Sequence, residues 1–125
     1  MNKQRPFFLN LLAIRLPIGG VTSILHRASG ALLALSVPFL LYWLMLSLRS
    51  AEDFQNLAAW LGGGFGTLIL LVCVWALAHH FLAGMRHLGF DIGWGENRST
   101  SRLTAWLSIG IAVAVTALVA FWRFT

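Results

Sequence analysis

Charged residues are scarce in this sequence, and acidic residues are scarcer still. Only 10% of the 125 residues are charged, with nine Lys or Arg against four Asp or Glu, while 58% are hydrophobic. Soluble domains average about 25% charged residues, so the composition excludes an ordinary soluble domain and indicates lipid as the solvent. With a single cysteine, Cys73, an internal disulfide is also excluded. The length predicts one domain over residues 1–125.

Three long stretches without charge predict an all-α integral membrane protein with three transmembrane helices. The middle stretch is too long for one span, and the Gly cluster in its first part, "FQNLAAWLGGGFG", predicts a loop or an interfacial turn. Pro38 is expected to kink the first span because it removes a backbone donor. The start of the chain lacks the cleavage site of a signal peptide, so the first span is expected to be retained. The predicted spans cover about 22–48, 66–88 and 103–124.

The basic residues predict the orientation of these spans. Seven Lys or Arg residues flank one side of the membrane and two flank the other. The positive-inside rule therefore places the N-terminus in the cytoplasm and the C-terminus outside. Because the basic residues lie at the ends of apolar runs, membrane topology explains the net charge of +5 better than nucleic-acid binding does. The seven are Lys3, Arg5, Arg15, Arg27, Arg86, Arg98 and Arg102, and the two are Arg49 and Arg123.

The third span carries small residues four positions apart, at Ser108, Ala112, Thr116 and Ala120. Such a stripe permits the close approach of another helix, although alanine is also simply common in membrane helices. Helix packing is the favoured interpretation.

The second span carries a possible iron ligand. His80, Gly84 and His87 share one helix face, and the glycine leaves room for a flat ligand next to an imidazole, which is a good axial ligand for iron. His79 points about 100° away from that face and fits an interhelical hydrogen bond. Arg86 and His87 fall at the membrane surface, where they suit haem propionates or simply follow the positive-inside rule. A second axial ligand would have to come from another chain.

The mouth of the first span carries a second polar group of residues. Ser23, His26 and Arg27 can face one side of the helix start. A hydroxyl beside a guanidinium suits a carbonyl-bearing, lipid-soluble ligand such as a quinone. The alternative, which the spacing alone favours, is a helix capped by Thr22 or Ser23 with Arg27 reaching to water.

Two motifs together resemble a known family. "SILHRASG" and, about fifty residues later, "HFLAGMRHLGFD" are similar to motifs of the cytochrome b membrane-anchor subunit of succinate dehydrogenase. The resemblance implies half of a haem-binding bundle that a partner anchor subunit completes. It implies that His80 is the axial ligand of haem b, whose other ligand comes from the partner. His26 and Arg27 then lie near the propionates, with His87 as a further candidate.

The same resemblance implies a ubiquinone site and a set of partners. Ser23 and Arg27 would line that site, with an apolar wall of Leu11, Leu16 and Ile24. The implied partners are a second hydrophobic anchor, an iron–sulfur subunit and a flavoprotein subunit in a bacterial inner membrane, and the chain alone would have no activity. Two alternatives remain: an anchor of a fumarate-reducing relative, and a structural membrane protein without a cofactor.

Overall fold

The computed structural model describes residues 15–125, and these residues form four helices and no strand. Helices α1, α3 and α4 are long and apolar enough to cross a membrane, whereas α2 is short. The prediction of an all-α membrane protein with three spanning helices is therefore confirmed. Each of the three spans predicted from the sequence lies inside one of the long helices. The bounds are α1 Ile18–Arg49, α2 Ala51–Gly62, α3 Gly64–Asp91 and α4 Arg98–Phe124.

Helix α1 begins earlier than the capping interpretation assumed. Pro17 is the N-cap residue, and its carbonyl accepts from the backbone N–H groups of Gly20 and Val21. Thr22 therefore lies inside the helix, where its hydroxyl donates to the carbonyl of Ile18 at 3.0 Å. A cap at Thr22 or Ser23 is thus wrong. The helix continues without a break through Pro38.

Helix α2 corrects the prediction of a loop before the second span. Its first turn is well capped, since the hydroxyl oxygen of Ser50 accepts from the backbone N–H of Asp53 at 3.1 Å. The guanidinium of Arg49 pairs with the Asp53 carboxylate at 2.7 Å. The hydrogen bond from Arg49, followed by that from Ser50, lowers the pKa of Asp53. An acidic group also suits the positive end of a helix. The Gly cluster marks the end of this helix and not a loop in place of it, because α2 ends at Gly62 and Gly63 is its C-cap residue.

The turn from α2 to α3 depends on a close approach of backbone to backbone. A Cβ atom at Gly66 would collide with the carbonyl oxygen of Trp60 and lie 2.6 Å from the Cα of Leu61. Only glycine fits there without a shift of the main chain. The turn thereby sets where α3 starts and where its histidines lie along the bundle.

The three long helices pack through small side chains. The fully buried apolar residues in the described part of the chain are all alanines, two on α3 and two on α4. Ser108 and Ala112 on α4 are buried, which confirms a packing role for that part of the stripe, whereas Thr116 and Ala120 are half-buried. Large apolar side chains instead point outward, as expected where lipid or another membrane subunit is the neighbour. The buried alanines are Ala76, Ala83, Ala105 and Ala112.

Candidate functional site

The His80 ring on α3 is held by the backbone of α1. Its Nδ1 atom lies 3.1 Å from the carbonyl oxygen of His26. A carbonyl can only accept, so this contact assigns the ring proton to Nδ1 and leaves the lone pair on Nε2. The buried hydroxyl of Ser29 donates to the same carbonyl at 2.9 Å and lies 3.4 Å from Nδ1. This arrangement is typical of an imidazole prepared to bind a metal through its other nitrogen.

Gly30 makes the approach of α1 to His80 possible. A Cβ atom at this position would lie 2.8 Å from Cε1 of His80 and 3.2 Å from its Nδ1. Real Cβ atoms do not come this close, so the imidazole would have to move. Side-chain spacing gives no role to Gly30 or Ser29, although both belong to the motif "SILHRASG".

Replacing Gly30 by alanine is expected to displace the His80 ring and weaken its bond to the His26 carbonyl. Loss of such a supporting contact typically weakens metal binding about 10- to 100-fold, so the affinity of the purified complex for a haem at His80 should fall by about that factor, and its haem content should fall with it. Gly110→Ala is the matched control, since a Cβ at Gly110 meets nothing within 4 Å. Equal haem content in both variants would contradict a role for the α1 approach in holding His80.

The ring of His26 adjoins that of His80, and the ring of His87 adjoins that of His26. The ring of His26 stacks on that of His80 with centroids 4.2 Å apart and planes 13° apart, and the His87 centroid lies 5.1 Å from that of His26. A ring stacked on His80 cannot also face its Nε2 atom from across a shared metal. The geometry therefore places His26 beside His80 and not opposite it. A Cβ at Gly84 would lie 3.5 Å from Nε2 of His26, so His26 borders the space that Gly84 leaves open.

The predicted quinone residues do not all lie together. Ser23 is half-buried and Arg27 is exposed, one turn apart on the same side of the helix. Ile24 beside them is 52% exposed. Leu16 is 45% exposed and lines a cavity between the starts of α1 and α4 that includes none of these three residues. Leu11 lies outside the described residues.

His79 lies deeper in the bundle than any other described histidine. Its side chain is fully buried, and neither ring nitrogen has a hydrogen-bond partner within residues 15–125. The ring stacks on Trp75 with centroids 5.4 Å apart and planes 3° apart. A fully buried imidazole whose nitrogens lack hydrogen-bond partners carries a desolvation cost. The expected interhelical hydrogen bond is absent from the described part of the chain.

The guanidinium of Arg86 is hydrogen-bonded to α4 and is therefore not available to bind an anion beside His87. Its guanidinium donates to the hydroxyls of Thr104 at 3.2 Å and Ser101 at 3.0 Å, both on α4. Its Cζ also lies 4.4 Å from the centre of the Phe90 ring. The favoured partner of Arg86 is therefore helix α4, and the charge that remains exposed near the histidines is that of Arg27.

A known protein family matches most of the chain. The model of the succinate dehydrogenase/fumarate reductase transmembrane subunit family matches residues 1–119. The chain belongs to this family. The family resemblance found in the two motifs is thus confirmed, and with the three apolar helices it supports the role of a membrane anchor.

Individual relatives of the family match nearly the whole chain. The chain is 34% identical to the succinate dehydrogenase cytochrome b556 subunit of Paracoccus denitrificans, over 97% of this chain and 95% of that protein. It is 32% identical to the subunit of the same name from Coxiella burnetii, over 98% of each chain. It is also 32% identical to the succinate dehydrogenase cytochrome b560 subunit of Reclinomonas americana, over 94% and 85% respectively. All three names describe cytochrome b subunits.

Proposed function

We propose that this chain is the membrane anchor of a succinate:quinone oxidoreductase that binds haem b and forms part of its ubiquinone site. The observation that carries the proposal is the hydrogen bond from His80 Nδ1 to the His26 carbonyl, because it leaves Nε2 free for iron. The names of the relatives favour the succinate-oxidising direction, since each is a succinate dehydrogenase subunit.

The residues around His80 fit a haem. His80 would bind the iron through Nε2, and Ser29 and Gly30 would keep the ring in place. Haem b accepts and releases single electrons when it is bound. The half-buried rings of His26 and His87 and the exposed guanidinium of Arg27 would face the propionates, because ring N–H groups can donate hydrogen bonds to carboxylates and the guanidinium adds a fixed positive charge. Because His26 stacks on His80, any further ligand to the group would come from a second hydrophobic anchor subunit.

Ser23 and Arg27 would hold ubiquinone near the haem. Reduction of the quinone adds two electrons and two protons, so negative charge develops on its oxygens before protonation is complete. Arg27 would stabilise that charge and Ser23 would donate a hydrogen bond. Arginine holds its proton too tightly to be the source of protons. Leu11, Leu16 and Ile24 would form the apolar wall.

The remaining partners follow from the membrane topology. The side that carries seven basic residues would face the cytoplasm of a bacterial cell and dock the iron–sulfur subunit, which in turn carries the flavoprotein. The N-terminus would be cytoplasmic and the C-terminus periplasmic in the inner membrane. Electrons from succinate would enter from the cytoplasmic side, at the end of α1 where Ser23 lies.

Deletion of the chain is expected to separate two activities of the complex. Quinone reduction by succinate in membranes should fall to background, because the site near Ser23 is lost. Oxidation of succinate with a soluble dye as electron acceptor should persist, because it needs only the extrinsic subunits, which are the iron–sulfur subunit and the flavoprotein subunit. Re-expression of the full chain is the control. Membranes that keep succinate-dependent quinone reduction without the chain would contradict the proposed function.

A further inference from the structure

A cavity of about 830 Å³ lies between the start of α1 and the start of α4. Its α1 wall includes Leu16 and Val21, and its α4 wall includes Arg98, Ser101 and Arg102. Val21 lies about 160° around α1 from Ser23. The cavity therefore opens on the other side of α1 from Ser23, although it shares Leu16 with the proposed apolar wall of the quinone site.

The polar wall of the cavity is cationic. Arg98 and Arg102 are exposed, lie one turn apart on α4, and make no ion pair within residues 15–125. Like charges at this spacing repel each other, and basic groups are unfavourable at the positive start of a helix. No acidic residue occupies the first turn of α4. The one carboxylate on the cavity wall among the described residues is that of Glu96.

A third guanidinium lies behind this wall. Arg86 donates to the hydroxyl of Ser101 at 3.0 Å, and its Nη2 would lie 3.3 Å from a Cβ atom at Gly19. Both Ser101 and Gly19 line the cavity. The two exposed guanidinium groups of the wall outweigh its one carboxylate, and Arg86 adds positive charge from behind, so the cavity favours an anionic ligand. A phosphate suits them because guanidinium groups bind phosphate oxygens in pairs.

The other half of the wall is apolar and continues into the spanning part of α4. Trp106 lies one turn beyond Arg102, and an uncharged run begins directly after that arginine at Leu103. Tryptophan at this position is typical of the boundary between headgroups and acyl chains. The volume lies within the usual range for small-molecule sites, about 300–1,000 Å³, and accommodates a headgroup with the first carbons of its chains.

From this combination we infer that the cavity binds one anionic phospholipid, with the phosphate at Arg98 and Arg102 and the acyl chains along Trp106. A free phosphate would satisfy the arginines but would leave the apolar wall without a partner. Basic groups near an anionic lipid surface each contribute about 1 kcal/mol, or about fivefold in affinity. Loss of both arginines should therefore weaken binding about 30-fold.

The test uses the complex purified through this chain, stripped of lipid in neutral detergent and titrated with phosphatidylglycerol or phosphatidylcholine. Native mass spectrometry counts the lipids bound. We expect the complex to prefer phosphatidylglycerol, Arg98→Gln with Arg102→Gln to weaken that binding about 30-fold, and Glu96→Gln to strengthen it about fivefold. Arg123→Gln, at the opposite end of α4, is the control and should change nothing. Arg98→Lys with Arg102→Lys should keep most of the binding, which separates loss of charge from misfolding.

Three results would overturn the inference. The first is equal binding of the two lipids by the unaltered complex. The second is a double glutamine variant that still binds phosphatidylglycerol but no longer co-purifies with the other subunits, because the arginines would then bind a protein and not a lipid. The third is competition by inorganic phosphate or glycerol phosphate at the concentration of the lipid, because the ligand would then be a soluble anion.

Discussion

Replacement of His80 by alanine is expected to abolish the haem b spectrum of the purified complex. A hydrogen bond from Nδ1 of His80 to the His26 carbonyl, at 3.1 Å, holds the ring in place and leaves the lone pair on Nε2 available to bind iron. Loss of a supporting contact already weakens metal binding about 10- to 100-fold, so loss of the ligand itself should exceed that range. The measurement is the haem content per copy of the chain.

His79→Phe is the matched control for this variant. His79 is the sequence neighbour of His80, but its nitrogens have no partner within the described residues and its ring stacks on Trp75. An apolar ring of similar shape removes no hydrogen bond, so the haem content should stay unchanged. A complex that keeps its haem spectrum in His80→Ala would refute the ligand assignment. Loss of haem in the phenylalanine variant alone would transfer the role to His79.

Replacement of Ser23 by alanine is expected to slow quinone reduction on the order of 100-fold, as the loss of one donor to a developing oxyanion commonly does. Ser23 is half-buried at the start of α1, on the side that carries the exposed Arg27. Oxidation of succinate by a soluble dye should be unaffected, because the extrinsic subunits carry it out. Both rates are measured on the same membranes.

Ser36→Ala is the control for Ser23→Ala. Ser36 lies on the same helix, and its hydroxyl donates to the carbonyl of Leu33 at 2.7 Å. Its loss should leave both activities intact. If Ser23→Ala lowers quinone reduction and dye reduction equally, Ser23 serves assembly of the complex and not the quinone.

The spanning helices could be predicted because lipid imposes a simple rule on the sequence. A helix that crosses the membrane must be long and free of charge, and α1, α3 and α4 each contain such a stretch. Helix α2 escaped prediction because the Gly cluster at its end indicated a loop, whereas the start signal lay upstream at Ser50 and Asp53. That signal, a cap followed three residues later by an acid, is readable from the sequence alone.

The candidate site could be predicted only in part. The helical spacing placed His80, Gly84 and His87 together, and the structure brings His26 beside them. The spacing could not reveal that the His26 carbonyl orients His80, because a contact between a side chain and the backbone of another helix leaves no pattern in the sequence. Nor could it place Arg86, whose partners on α4 depend on how the helices pack.

Haem content of the complex isolated through a tag on this chain tests the central claim most directly. We expect one haem b for each copy of the chain, reduced by succinate and accompanied by a second hydrophobic subunit. A complex that contains the extrinsic subunits and reduces quinone, yet holds no haem, would contradict it.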